Sequence, residues 1–174
     1  MLKKCLLAVA TLFVLTACGN EDEKLSDVER EQVIDEGTIG FEMNGEEVVA
    51  AKDIPAEDKK AILDAFDEYI NAFNAEEIDR YMQLISENSK NFDYEKEKLY
   101  VAETFEKYDP KREVENVTIA KYSEKEAQVY ANIKTDLIQI DTNSKHELNG
   151  RQVTVFIKED DTWKVSIVSY MEDN

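Results

Sequence analysis

Side chains that could carry out chemistry are few in this sequence of 174 residues. His146 is the only histidine, and its polar surroundings favour a solvated or structural role over that of a general base. One histidine without a free cysteine cannot make the usual nitrogen and sulfur shell of zinc, and Cys5 is expected to leave with the leader described next, while Cys18 is expected to be alkylated. Neither 21–23 nor 159–161 has the spacing of a calcium loop, and no Gly-x-Ser-x-Gly turn or glycine-rich phosphate loop occurs. We therefore expect no metal site and no cofactor.

Both cysteines lie in the first 18 residues, within a pattern typical of exported proteins. Lys3 and Lys4 precede an apolar run at 5–17, which is shorter than the roughly 20 residues that a spanning helix needs. The residues Leu-Thr-Ala-Cys-Gly at 15–19 resemble the bacterial lipoprotein box. That resemblance implies cleavage before Cys18 and a diacylglyceryl group on its sulfur. It predicts a signal peptide at 1–17 and a lipid-anchored chain at the cell membrane, facing outside the cytoplasm, although ordinary secretion with an incidental Cys18 is the alternative.

The charge balance limits the choice of partners. Acidic residues outnumber basic ones by 39 to 21, so the formal net charge is −18, and it becomes −20 when Lys3 and Lys4 leave with the leader. Because such a surface repels phosphate, nucleic acid is not an expected partner. The charge could collect divalent cations loosely, but a well-solvated surface is the simpler interpretation.

The predicted mature chain has three parts. Residues 18–37 form an acidic tether, in which Ser26 could begin a short helix that ends near Ile34. Residues 38–53 form a β-hairpin extension around Asn44-Gly45, the strongest two-residue turn signal. Since an isolated hairpin is marginally stable, its apolar side is expected to pack on the main domain or on a partner. Residues 54–174 form that domain.

Apolar residues of the domain first recur at helical spacing, which predicts three helices. Asn74 together with Glu77 predicts a cap for the second helix, and Asp93 predicts a cap for the third. The third helix is expected to reach about Tyr108, before Asp109-Pro110 ends it. The residues expected to face inward are Ile62, Leu63, Phe66, Tyr69, Ile70 and Phe73; then Ile78, Tyr81, Met82 and Ile85; then Val101, Phe105 and Tyr108.

After Pro110 the apolar period becomes two, which predicts four strands. Short connections favour an antiparallel sheet with one face on the helices, because parallel strands need long crossovers. The fold class is thus α+β, with N-terminal helices on a curved antiparallel sheet of four or more strands. The residues predicted to share the inward face are Val117 and Ile119; Ala127, Val129, Ala131, Ile133, Thr135 and Leu137; Val153, Val155 and Ile157; and Trp163, Val165, Ile167 and Ser169.

The stretch ILDAFDEYINAFNAEEIDRYMQL at 62–84, followed by four strands and Asp-Thr-Trp-Lys-Val at 161–165, resembles the nuclear transport factor 2-like (cystatin-like cone) fold. The resemblance covers about Ile54 to Met171 and implies a conical cavity between the first helix and a bent sheet. It also implies that a hydratase or isomerase of this kind would use an inward Asp, Tyr or His. The candidate catalytic residues are Asp79, Tyr81, Tyr130 and Asp136. Aromatic residues that could line the cavity, or simply form core, are Tyr69, Phe73, Tyr81, Phe105, Tyr130 and Trp163.

Three functions follow as hypotheses. The first is a non-enzymatic, lipid-anchored module that binds a protein or a small ligand through the open face of the sheet or the Phe41 hairpin. It predicts an unoccupied apolar patch there and allows a symmetric homodimer. The second is a cavity enzyme that acts on a small molecule, which requires a deep pocket with a buried carboxylate or tyrosine. The third is a polyanionic, cation-buffering protein of the cell envelope. The fold alone does not choose among them.

Overall fold

The computed structural model describes residues 39–45, 47–89 and 93–173. The predicted signal peptide at 1–17 and the predicted tether at 18–37 lie outside these residues. In the described part, no helix has the length and apolar character needed to cross a membrane. The elements, in chain order, are β1 (Met43–Asn44), β2 (Glu47–Val48), α1 (Ala56–Asn74), α2 (Ile78–Gln83), α3 (Tyr94–Lys107), β3 (Tyr108–Tyr122), β4 (Glu126–Gln139), β5 (Lys145–Glu159) and β6 (Thr162–Glu172).

Helix α1 is the predicted long helix and supplies much of the core. It begins directly after Pro55, whose fixed φ suits a helix start. Its three-four apolar stripe is buried as predicted, with only Leu63 half-exposed. The buried stripe residues are Ile62, Phe66, Tyr69, Ile70 and Phe73.

The predicted caps of the two shorter helices have different outcomes. The Asp93 carboxylate accepts hydrogen bonds from the backbone N–H groups of Glu95 and Lys96, both at 3.1 Å, which confirms its role at the start of α3. The predicted cap of α2 is wrong, because Glu77 makes no side-chain capping bond and Asn74 is the last residue of α1. The Asn74 amide instead binds the backbone of β3, a contact that sequence spacing could not indicate.

Strands β3, β4, β5 and β6 form one antiparallel sheet in that order. The third helix ends one residue earlier than predicted, and Tyr108 is already extended. Strand β3 therefore contains Pro110, which pairs with Leu137. A proline is tolerated there because β3 is an edge strand and need not donate on its outer side.

The inward face of β4 is the predicted one, but the predicted face of β5 is wrong. Ala127 of β4 pairs with Phe156, and Phe156 belongs to the core that packs under the helices. Val153 and Val155 pair with Tyr130 and with Gln128 on the opposite face of the sheet. Both valines are nevertheless buried, at 1% exposure, because that outer face is covered too.

Strand β6 follows the prediction only at its beginning. Trp163 and Val165 face the core, as predicted. A register shift opposite Val155 and Phe156 then adds one residue to β6, so that Val168 pairs with Thr154 on the inner face and Ser169 pairs with Val153 on the outer face. The prediction that Ser169 continues the inward face is wrong for this reason, while Ile167 pairs with Val155 at the shift and still lines the cavity described below.

The cover of the outer face comes from residues 39–51. The Phe41 ring packs on Tyr130 with centroids 4.7 Å apart, and the Gly40 N–H donates to the Gln128 side chain at 3.1 Å. The predicted turn at Asn44-Gly45 is one residue too early, because Asn44 belongs to β1 and pairs with Glu47, so that the turn begins at Gly45, with φ 68°. The two strands have two residues each. The N-terminal extension thus packs on the sheet of the main domain.

Candidate functional site

A cavity of about 690 Å³ opens between the helices and one end of the sheet. Helices α1, α2 and α3 form one wall, and strands β3 to β6 form the other. The wall is largely aromatic and aliphatic, with a few polar groups. Residues that line it include Tyr69, Phe73, Tyr81, Ile85, Glu97, Tyr100, Val101, Arg112, Ile133, Thr135, Leu148, Gln152, Val168 and Tyr170.

A chain of hydrogen-bonding groups crosses the cavity wall from β3 to α3. The Arg112 guanidinium donates to the Tyr69 hydroxyl at 3.3 Å, and the phenol oxygens of Tyr69 and Tyr81 lie 3.4 Å apart. The Tyr81 hydroxyl donates to the Glu97 carboxylate at 2.8 Å. Because the single proton of Tyr81 is donated to Glu97, the Tyr81 oxygen can only accept from the Tyr69 hydroxyl, and the Tyr69 oxygen in turn accepts from Arg112. A cation and an anion are therefore linked through two neutral phenols.

Tyr81 is fully enclosed, with 1% of its surface exposed. Burial raises the pKa of its phenol well above the ordinary value, and the nearby Tyr69 and Glu97 act in the same direction. The hydroxyl therefore stays protonated near neutral pH. It can donate a hydrogen bond, but it is a poor source of phenolate for proton abstraction.

Arg112 is held in place from three sides. Its guanidinium lies 3.6 Å from the centroid of the Phe73 ring, a close cation–π contact. The Asn74 side chain binds the Arg112 backbone twice, donating to its carbonyl at 2.8 Å and accepting from its N–H at 2.7 Å. Asn74 thus pairs the backbone N–H and C=O of Arg112 on the free edge of β3, and it fixes the position of the residue that carries the guanidinium.

The charged groups of the wall are not equivalent. Lys107 forms an ion pair with Glu103 at 2.9 Å, one turn away on α3. Within the described ranges, Arg112 forms no ion pair with any carboxylate. Its charge is offset only by the faces of aromatic rings and by the oxygen of Tyr69.

The cavity opens to solvent between α3 and β6. Tyr100 is 66% exposed, and Val168 and Tyr170 on β6 are about 40% exposed. Gly150 is needed beside them, since a Cβ at this position would lie 2.3 Å from the Met171 carbonyl oxygen and 2.7 Å from the Tyr170 ring. A side chain at 150 would force β6 and Tyr170 to move.

The predicted aromatic lining is divided between four places. Tyr69, Phe73 and Tyr81 line the cavity. Phe105 does not line it and packs against Phe73 with centroids 5.3 Å apart. Tyr130 lies on the outer face of the sheet under Phe41, and Trp163 lies at the opposite end of the core, near Tyr122 and Lys158.

Of the four candidate catalytic residues, only Tyr81 lies in the cavity. Asp79 is exposed on α2, and Tyr130 is on the outer face. Asp136 pairs with Glu147 in register and forms an ion pair with Lys145 at 3.0 Å, so it belongs to a charge network at the sheet surface. His146 is exposed and lies at the side of the Tyr108 ring. The structure does not bring these residues together into one constellation.

Sequence reasoning missed Arg112, Glu97 and Gln152. Arg112 lies between Lys111 and Glu113 and reads as part of a charged surface segment. One sequence signal was available. Residues two apart in a strand lie on the same face of the sheet, so Arg112 shares the face of Val114, which pairs with the inward-facing Ile133. The predicted strand began too late for that signal to be used.

A second polar cluster lies near Trp163. Lys158 forms an ion pair with Asp58 at 2.9 Å, and the Tyr122 hydroxyl donates to the other oxygen of Asp58. The hydrogen bond to Asp58 raises the pKa of Tyr122 to about 12. The ion pair and the hydrogen bond of Asp58 join α1 to the sheet, and the same three residues line a second cavity of about 690 Å³. Among the described residues, no group of three or more His, Cys, Asp or Glu side chains could hold a metal ion.

Solved structures with the same architecture define the class. A nuclear transport factor 2 (NTF2-like) superfamily protein from Salmonella enterica serovar Typhimurium has a TM-score of 0.60 at 13% identity, over 67% of this chain and 91% of its own. A cystatin-like-fold protein of unknown function from Nostoc punctiforme has a TM-score of 0.56 at 11% identity, over 70% and 95%. A provisionally assigned scytalone dehydratase from Novosphingobium aromaticivorans has a TM-score of 0.60 at 17% identity, over 68% and 85%. At these identities the likeness shows the fold alone, the NTF2-like cone, as predicted.

The family is given by sequence. Residues 65–172 match the anti-sigma-I factor RsgI9, C-terminal domain family, and the chain belongs to that family. Among curated proteins, no sequence matches this chain. The match spans α1 from Ala65 through β6 and so includes every wall of the cavity.

Proposed function

We propose that the protein is a lipid-anchored binding protein outside the cytoplasm, and that its cone cavity holds a small organic ligand without converting it. The observation that carries the proposal is the open cavity of about 690 Å³ with aromatic walls and few polar groups. Ligand sites are typically concave, mostly apolar and of this size. Protein cores are close-packed, so an open space of this size is unexpected if these residues only form core.

The composition of the wall supports binding over catalysis. No histidine or aspartate is among the residues that line the cavity, and the enclosed phenol of Tyr81 stays protonated. The family's description also names a domain of an anti-sigma factor, a regulatory protein. A binding role for this chain agrees with that description.

The anchor is proposed from the leader and Cys18. A body with formal charge −20 is repelled by anionic lipid, so attachment requires buried acyl chains. Two chains on one cysteine are enough for stable attachment. We expect mass spectrometry of the chain from a bacterial membrane to show residues 18–174 with a diacylglyceryl group on Cys18. Cys18→Ser should leave the membrane fraction, whereas the matched control Cys5→Ser should remain; equal behaviour of the two would contradict the anchor.

Binding is tested by closing the cavity. Leu148 and Asn149 are neighbours on β5, but Leu148 lines the cavity and Asn149 is exposed. A small-molecule fragment library is titrated into the isotope-labelled full chain and followed by NMR amide shifts. Hits should map to the cavity wall and disappear in Leu148→Trp, while Asn149→Trp retains them. Hits that map elsewhere, or that survive Leu148→Trp, would refute the cavity as the ligand site.

A cavity enzyme is the second candidate, because Tyr81 meets the requirement for a buried tyrosine and contacts Glu97. Such a phenol could protonate a leaving group or polarise a carbonyl. The fragments that bind are incubated with the protein and examined for new products. Conversion that is lost in Tyr81→Phe would favour this candidate, and full recovery of unchanged fragments would exclude it for them.

A further inference from the structure

The charge of Arg112 has no carboxylate in direct contact inside the cavity, because it reaches Glu97 only through the hydroxyls of Tyr69 and Tyr81. A guanidinium has five N–H donors, and in the described part of the chain the guanidinium of Arg112 donates to the Tyr69 hydroxyl alone. The other cation of the wall, Lys107, is paired with Glu103. The donors of Arg112 that remain are therefore available to a molecule in the cavity.

The fold positions this guanidinium at a structural cost. Desolvating a cation is unfavourable unless partners compensate, and Arg112 is compensated by the Phe73 ring and the Tyr69 hydroxyl but by no directly bound carboxylate among the described residues. Asn74 nevertheless holds the Arg112 backbone through two hydrogen bonds. A cation that is fixed in position and lacks its anion is what a preformed anion site requires.

The surroundings of Arg112 define the rest of the ligand. The rings of Phe73, Tyr100 and Tyr170 and the side chain of Val168 line the space between α3 and β6. Flat apolar groups gain most from contact with such rings. The protein as a whole carries −18, so its long-range field does not attract anions, and the preference must arise within a few ångströms of Arg112.

We propose that the cavity binds an organic carboxylate whose carboxylate pairs with Arg112 and whose flat apolar body lies between α3 and β6. This inference rests on the proposed binding function and adds the chemical class of the ligand. It assigns to Arg112 the role of anion anchor and to Asn74 the role of a positioning residue.

The test compares a carboxylate with its neutral isostere. 1-Naphthylacetate and 1-naphthylacetamide are titrated into the full chain in nonionic detergent, with protein-free detergent as the blank, and binding is followed by NMR amide shifts. The variants are Arg112→Gln and the matched control Lys107→Gln, which removes the same charge from the same wall. Charge-assisted hydrogen bonds predict a carboxylate preference of roughly tenfold to hundredfold. That preference should persist in Lys107→Gln and vanish in Arg112→Gln.

The outcomes separate this inference from the proposed function. Equal affinity for the two probes would overturn the anion site and leave cavity binding intact. Equal loss of the preference in both variants would also overturn it, since a general charge effect would then account for the result. Failure of both probes to bind would count against the cavity as a ligand site and against this inference together. The folded state of each variant is checked by its amide spectrum, and Arg112→Lys gives a second reading, with partial recovery expected.

Discussion

Asn74 is expected to be the most sensitive polar residue on the helical side of the domain. It joins the end of α1 to the middle of an edge strand, 38 residues away in sequence, through two hydrogen bonds of 2.8 and 2.7 Å. Replacement by alanine removes both and leaves a half-buried N–H and C=O of Arg112 without these partners. Each bond contributes about 1 kcal/mol net, and an unsatisfied backbone group costs more, so Asn74→Ala should destabilise the fold by about 2–3 kcal/mol.

The control is Asn71→Ala, one turn earlier on the same helix. Asn71 is exposed, and the same change of residue type there alters helix propensity by the same few tenths of a kcal/mol. The difference between the two variants isolates the contacts with Arg112. Urea unfolding of both variants gives the free energies of unfolding from the midpoint and slope. If Asn74→Ala were no less stable than Asn71→Ala, the two hydrogen bonds would not stabilise the domain, and the positioning role of Asn74 would be lost with them.

Three further changes have definite expected results. Phe41→Ala should lower the free energy of unfolding by about 1 kcal/mol through loss of an aromatic pair, whereas Met43→Ala, on the exposed side of the same extension, should change it little; equal effects would contradict the described packing. Gly150→Ala should cost roughly 1–3 kcal/mol in the same urea assay, because its Cβ meets backbone at 2.3 Å, and a neutral result would refute the tight approach of β6. Ultraviolet titration should find the Tyr122 phenol with a pKa of about 12, and Asp58→Asn should return it toward the ordinary value of tyrosine. Since the Tyr122 and Lys158 contacts lower the pKa of Asp58, its stabilisation is present above about pH 4 and is lost as the pH falls. The acid limb of the stability curve should therefore be shallower in Asp58→Asn.

The elements predicted correctly from the sequence are those in which the apolar periodicity allows only one inward face. Helix α1 has apolar residues on one stripe and charges elsewhere, and β4 alternates cleanly through Ala127, Val129 and Ala131. Strand β5 reads Val-Thr-Val-Phe-Ile at 153–157, with apolar residues on both parities. Both faces are buried there, one by the helices and one by residues 39–51, so parity alone could not assign the inward side.

The site was harder to predict than the fold because its residues come from separate elements. Tyr69, Phe73 and Tyr81 were on the predicted helical stripes and do line the cavity. Arg112 required the correct start of β3, and Tyr170 required the register shift in β6. Neither the start of β3 nor the register shift in β6 has a local sequence signature, because both depend on how neighbouring strands pack.

The sheet explains why the cavity is open at one end. Across the closed end, the inward row is Ala127, Phe156 and Val165, and these side chains fill the space under α1. Toward the other end, Gly150 stands at an inward position of β5, opposite Ile133, and its missing side chain lets the Tyr170 ring of β6 approach the strand closely. The cavity lies beside this contact, between α3 and β6. The empty space, the unpaired guanidinium of Arg112 and the glycine thus share one region of the molecule, which is the arrangement expected if selection has kept that region for a ligand rather than for packing.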